Sequence, residues 1–252
     1  MEIIAYLDAL DLYSSAPLKS FRSVPPVESA ILPVFENKAQ SFFSEKSIVS
    51  FASEVHEQTR NDILNATLLA QLAANNLQPD HSKLIEWYTA FIDVLSKTGW
   101  IIEGGDVQLY HSESELIEVE KIVIDILTSA FGAGYISIIQ NTLDAIKKLN
   151  HRDQKLKAFE RNVSKVSKGC FQITLATETD GLVSMRIGTF MLNSVNKITS
   201  VLFFKTSKDK TTLEYLSKNA TFNGELYSQI REKVTEKLGQ HLLNSIAEIN
   251  IS

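Results

Sequence analysis

The residues able to do chemistry are few and scattered. Five histidines, His56, His81, His111, His151 and His241, stand far apart, and none has a helical i+4 partner of the kind a zinc site uses. They are expected at the surface or at helix caps. Cys170 is the only cysteine, so neither an intramolecular disulfide nor a Cys-based zinc site can form. Its thiol has two readings: an inert small hydrophobe if buried, or a carrier of a fatty chain by S-acylation. Glu113, Glu115, Glu118 and Glu120 have the spacing of paired acid–base carboxylates, but a solvated helix face opposite an apolar stripe is the expected reading.

The sequence holds no Gly-x-Ser-x-Gly elbow, no His-Glu-x-x-His and no phosphate-cradling glycine loop. Gly132-x-Gly134 lacks a third glycine and follows a helical pattern, so it reads as a turn. No metal or cofactor is expected, and a non-enzymatic role is favoured over an enzyme whose residues converge from distant positions.

Composition narrows the partners. The chain has 252 residues, 44% of them hydrophobic and 22% charged, which is the balance of a packed globule. Its net charge is −5 and its basic residues are dispersed, so nucleic acid is not an expected partner. Lys205 to Lys210, with three lysines around Asp209, reads as a turn between strands; its functional alternative is contact with anionic headgroups. Residues 1–20 lack a basic start followed by an apolar run, so synthesis in the cytoplasm without a secretory signal is expected, with possible release toward target-cell membranes. The N-x-S/T triplets at Asn65, Asn162 and Asn219 are accordingly chance matches.

The elements that would position any site follow from periodicity. Residues 1–34 carry Pro17, Pro25, Pro26 and Pro33 and read as an arm. A helical pattern is expected from Phe35 to Leu77, with Ser53 as a cap, and a second helix from Asp80 to about Lys97. Trp100 to Ile102 and Val107 to Tyr110 suggest a short strand pair or a bent edge strand. Ile122 to Ile139 is the most apolar window, yet Gly132 and Gly134 divide it, so a buried helix hairpin is expected, one helix from Leu116 and the other from Ile136 to Leu149. The period then changes to two. Phe171, Ile173 and Leu175 alternate with polar residues up to the Asp180-Gly181 turn, and strands are expected at 182–192, 198–204 and 213–216. A last helix begins near Gly224 with Asn223 as its cap. Strands apolar on both faces require helices on both sides, so an antiparallel sheet between two helical layers follows.

The run Ile124 to Gly132, the run Ile138 to Ile146 and the meander from Phe171 to Ser217 with Val201-Leu-Phe-Phe204 resemble the Cyt δ-endotoxins. The same fold group is similar to fungal volvatoxin and to the Erwinia virulence factor Evf, an acylated member. The resemblance implies a three-layer α/β/α sandwich of the α+β class: an arm over 1–34 and a single domain over 35–252, with a helical part at 35–167, a β-meander at 168–219 and a terminal helix at 223–248. It implies a membrane-active, lipid-binding, cytolytic or pore-forming protein, or alternatively a non-lytic virulence factor carrying an acyl chain. The expected lipid-facing residues are Ile122, Ile126, Ile136, Ile139, Leu143, Met185, Ile187, Val201 and Phe203, with Cys170 as the possible acylation site. The expected partner is membrane lipid or a bound or covalent fatty acyl chain, and a homodimer is possible before lipid is met.

Overall fold

The computed structural model describes residues 2–13, 37–80, 83–111, 114–132, 134–150, 153–239 and 241–251. In chain order the elements are α1 (Glu2–Ala9), β1 (Gln40–Ser44), β2 (Ser47–Phe51), α2 (Glu57–Leu77), α3 (Leu84–Lys97), β3 (Trp100–Gly104), β4 (Gln108–Leu109), β5 (Leu116–Glu118), α4 (Val119–Phe131), α5 (Ile136–Lys148), α6 (Gln154–Val163), β6 (Ser164–Lys165), β7 (Lys168–Thr179), β8 (Leu182–Ser194), β9 (Lys205–Ser207), β10 (Thr211–Phe222), α7 (Gly224–Ser228), α8 (Arg231–Leu238), α9 (His241–Ser245) and β11 (Ile246–Ile249).

The long strands β7, β8 and β10 form the expected meander at the centre of the sheet. Asp180 (φ 52) and Gly181 (φ 76) make the tight turn between β7 and β8, with the two positive φ angles that suit the right-handed twist of a hairpin. The full order is β11-β1-β2-β7-β8-β10-β3, with β4 also on β10 and β6 on β7. Side chains alternate between two cores. Cys170, Met185, Ile187 and Met191 enter one, beneath α2, α3, α1 and the C-terminal helices. Phe171, Ile173, Leu175, Phe190 and Leu192 enter the other, beneath α4, α5 and α6. The three-layer helix–sheet–helix order is therefore the observed one.

Several expectations are corrected. The helical pattern from Phe35 begins instead as the β1–β2 hairpin, whose residues are all buried; Phe42, Val49 and Phe51 go to the first core, Phe43 and Ile48 to the second. Short apolar runs buried on both faces carry no period that separates strand from helix. The helix starts at Glu57 rather than being capped by Ser53, and α3 starts at Leu84 with Lys83 rather than Asp80 at its N-cap position. The sheet is not wholly antiparallel: β2 pairs with β7 in parallel, Ser47 opposite Gln172 and Phe51 opposite Ala176. Among its described residues, the helical part 35–167 thus contains six strands, β1 to β6.

Ile198 to Phe204 is not a strand. Ser200 Oγ and the Val201 amide both donate to the Glu160 carboxylate of α6, at 2.7 and 3.1 Å, which folds this stretch into a loop with Ile198, Val201, Leu202 and Phe204 buried. The terminal helix is likewise broken. Asn223 caps α7 as expected, accepting from the Leu226 amide at 2.9 Å, but Gly239 takes φ 46 and Ile246–Ile249 leaves the helix to pair with β1. Of the arm, Glu2–Ala9 is a helix with Leu7 and Leu10 in the first core; its four prolines lie outside the described residues. Trp100–Gly104 and Gln108–Leu109 both pair with β10, the bent edge strand of the two alternatives.

Candidate lipid-facing site

The two helical layers are held to the sheet by different means. On the first face, α2 is buried along most of its length and fastened by internal polar bonds. Gln71 accepts from the Lys46 amide at 2.7 Å and donates to the Ser44 carbonyl at 2.9 Å. Asp62 takes both Arg231 Nε and Nη2 at 2.8 Å, joining α2 to α8 with a forked pair. Arg60, fully buried, donates to the Val55, Ala52 and Ser53 carbonyls and to Gln40 Oε1.

On the second face α4 and α5 form the expected hairpin, and each buries one stripe. Val119, Ile122, Val123, Leu127 and Phe131 come from α4, and Ile139, Leu143 and Ile146 from α5. Gly188 of β8 lets α4 sit close, since a Cβ there would lie 2.5 Å from Leu127 Cδ2. The polar ties are mostly peripheral: Lys147 to Glu120 at 2.9 Å, Lys205 to Glu118 at 2.7 Å, and Tyr135 to Glu54 at 3.3 Å. Lys121 and Lys205 hold the Glu118 carboxyl down to about 2. Two further ties lie closer in: Arg186 Nη1 donates to the Phe131 carbonyl, and Ser41 Oγ meets Thr142 Oγ1 at 2.7 Å. Exposed ion pairs of this kind contribute little each.

The structure divides the residues singled out above. Ile122, Ile139, Leu143 and Val201 are buried in the second core, with Ile126, Ile136 and Phe203 packed partly exposed against it. Met185 and Ile187 are buried on the opposite side of the sheet, beneath α2 and α3. The nine residues therefore form no single surface, and those that come together lie between α4–α5, the sheet and the 198–204 loop. Glu115, Glu118 and Glu120 are separated by pairing rather than gathered: Glu115 bonds Lys208, Glu118 Lys205 and Glu120 Lys147. Glu113, His81 and His151 lie outside the described residues. Among the described residues no group of three or more His, Cys, Asp or Glu side chains could hold a metal, and no helix is long and apolar enough to cross a membrane.

Cys170 is buried in the first core, where burial pushes its thiol up to about 11 against the opposing pull of Lys46. Periodicity had no means of finding Lys46. It lies in a two-residue hairpin turn, yet its ammonium is buried 4.1 Å from the Trp87 ring and its pKa is lowered by that burial. Burial likewise raises the nearby Tyr88 hydroxyl, with Thr189 opposing. At pH 8 a thiol near 11 is about a hundredfold less ionised than one at the ordinary 9.0. Alkylation of Cys170 in the native chain should be at least that much slower than in urea-unfolded chain. Equal rates, followed by mass spectrometry, would contradict the burial described.

A cleft of ≈ 200 Å³ opens beside the start of α3, between Leu84, Ile85, Lys168, Met191 and Glu214. Its lining also includes the polar Glu86, Asn193 and Thr212.

These layers define a three-layer α/β/α protein whose sheet is apolar on both faces. No family model matches the chain, and no curated protein matches it. Among solved structures it is similar to one described as a delta-endotoxin, with 14% identity over 83% of this chain and 91% of that one and a TM-score of 0.43. It is similar also to the Evf virulence factor, with 10% identity, 96% and 90% coverage and a TM-score of 0.43. The activated Cyt2Ba monomer from Bacillus thuringiensis subsp. israelensis gives 14% identity, 66% and 88% coverage and a TM-score of 0.29.

Proposed function

We propose that the chain is a non-enzymatic, membrane-active and lipid-binding protein of the toxin or virulence kind, in which the α4–α5 layer leaves the sheet and both apolar surfaces meet acyl chains. The observation that carries this reading is the unequal fastening of the two layers. The α2–α3 face is tied by buried Arg60 and Gln71 bonds to the β1–β2 hairpin, whereas α4–α5 is amphipathic and held mainly at its rim.

Energetics set the condition for the opening. Exposing the buried stripes of α4 and α5 to water costs about 1.5–3 kcal/mol for each large side chain, hence on the order of 10–20 kcal/mol in all. That is comparable to or above the typical domain stability of about 5–15 kcal/mol, so the layer stays closed in water. At a bilayer the same side chains pass into hydrocarbon, and the hydrophobic cost falls away. Dye-loaded liposomes test this. Micromolar protein is expected to release the dye, and no release, with or without limited proteolysis of the two ends, refutes the reading.

The covalent form of the acyl-carrying alternative rests on Cys170. It requires an intact mass raised by one fatty acyl group and restored by hydroxylamine.

A further inference from the structure

One end of the sheet gathers three turns that lie far apart in the chain. The β6–β7 turn (165–168), the start of the loop after β8 (194–198) and the turn before β10 (208–211) are stitched side by side. The Ser194 amide donates to the Ser167 carbonyl at 2.8 Å, that of Ile198 to Val166 at 2.8 Å, and that of Val195 to Lys210 at 2.9 Å. Beneath them Thr211 Oγ1 bonds Ser194 Oγ at 2.7 Å, stiffening the platform.

What this platform presents is unusual for an acidic chain. Its three turns carry five lysines, Lys165, Lys168, Lys197, Lys208 and Lys210, and one acid, Asp209; the half-buried Lys168 also lines the cleft that holds Glu86 and Glu214. Among them only Lys208 has a salt bridge within the described residues, to Glu115. Two valines stand up between the lysines: Val166 is 71% exposed and Val195 78%. Val166 also holds φ 57, a left-handed conformation that costs a β-branched residue strain. Neither packing nor turn geometry asks for valine there; Asn or Gly would relieve the backbone.

We propose that this end is a docking surface for an anionic phospholipid bilayer, with the lysines at the headgroups and Val166 and Val195 entering the interface between them. Exposed aliphatic tips favour a bilayer over a nucleic acid, which offers phosphates but no acyl layer. The rest of the molecule reinforces the orientation. β7 and β8 run from this end to Glu178 and Asp180 at the other, about 40 Å away at strand rise. Against a net charge of −5 overall, this lysine end gives the chain a locally favourable approach to an anionic surface. The inference deepens the membrane-active reading by naming the lipid class and the end that arrives first.

Co-sedimentation of the full chain with phosphatidylcholine vesicles, with and without phosphatidylserine, tests it. Binding is expected only with phosphatidylserine and is expected to weaken in high salt. Each basic residue at an anionic surface contributes about fivefold in partitioning, so Lys165→Glu with Lys197→Glu should lower it by two to three orders of magnitude, roughly. Val166→Asn with Val195→Asn should lower it about tenfold or more while keeping or raising the melting temperature, which separates lost docking from lost folding. Equal binding to both vesicles, or binding unchanged in either double variant, overturns the proposal. So does tight lysine-dependent binding of duplex DNA without vesicle binding. Docking without dye release leaves this surface standing and removes the membrane-opening reading. Dye release that ignores both double variants does the reverse.

Discussion

A chain carrying Ser41→Cys and Thr142→Cys is expected to lose dye release when oxidised and to regain it on reduction. Ser41 Oγ of β1 and Thr142 Oγ1 of α5 lie 2.7 Å apart in a fully buried contact, so cysteines there place two sulfurs within reach of a bond. The bond would tie the α4–α5 layer to the sheet. If the layer must leave for acyl chains to reach the β7–β8 faces, release should fall at least about tenfold in the oxidised form and return with reductant. Cys170 does not compete, because its side chain lies in the first core, on the opposite side of the sheet from α5. Oxidised chain that releases dye as fast as reduced chain would show that the hairpin stays seated throughout.

Arg60→Met should have the largest effect on stability. The guanidinium is enclosed between α2 and the β1–β2 hairpin, with Nε 2.8 Å from the Val55 carbonyl, Nη1 2.8 Å from Gln40 Oε1 and Nη2 3.0 Å from the Ala52 carbonyl. Methionine fills much of the volume but leaves those acceptors buried without donors. The expected loss is about 3–5 kcal/mol, a third or more of a typical domain's stability. Arg60→Lys keeps the charge without the fork and should recover only part of it. A urea midpoint unchanged in Arg60→Met would mean that α2 does not depend on this bond set, and the contrast between a fixed and a removable layer would go with it.

The helix pair 119–131 and 136–148 and the strands 168–179 and 182–194 were legible because each has a period strong enough to identify itself. The Asp180-Gly181 turn and the Asn223 cap were legible for the same reason, since the residues that make them act on their own neighbours. The β1–β2 hairpin was misread because its strands have five residues each and show no sustained alternation, whereas β7 sets Phe171, Ile173 and Leu175 against Gln172 and Thr174. Val201 and Leu202 looked like strand, but Glu160, forty-one residues earlier, captures the backbone at Val201. No local signal marks that contact.

The candidate site was legible only as chemistry of the right kind. Which face each apolar residue serves depends on register: Met185 and Ile187 fall beneath α2 and α3, Ile139 and Leu143 beneath the sheet's other side. Val166 and Val195 stand 29 positions apart in the sequence and become neighbours only through the ladder that joins Lys168 to Asn193.

Composition and period alone established that this chain buries both sides of a sheet under helices, because the burial preference of a side chain and the repeat of its element are local properties. The parallel β2–β7 pairing, the burial of Lys46 and the strength with which each layer is held arose only on folding. Each depends on groups brought together across more than a hundred residues or on their removal from water, and neither is written in any short stretch of chain.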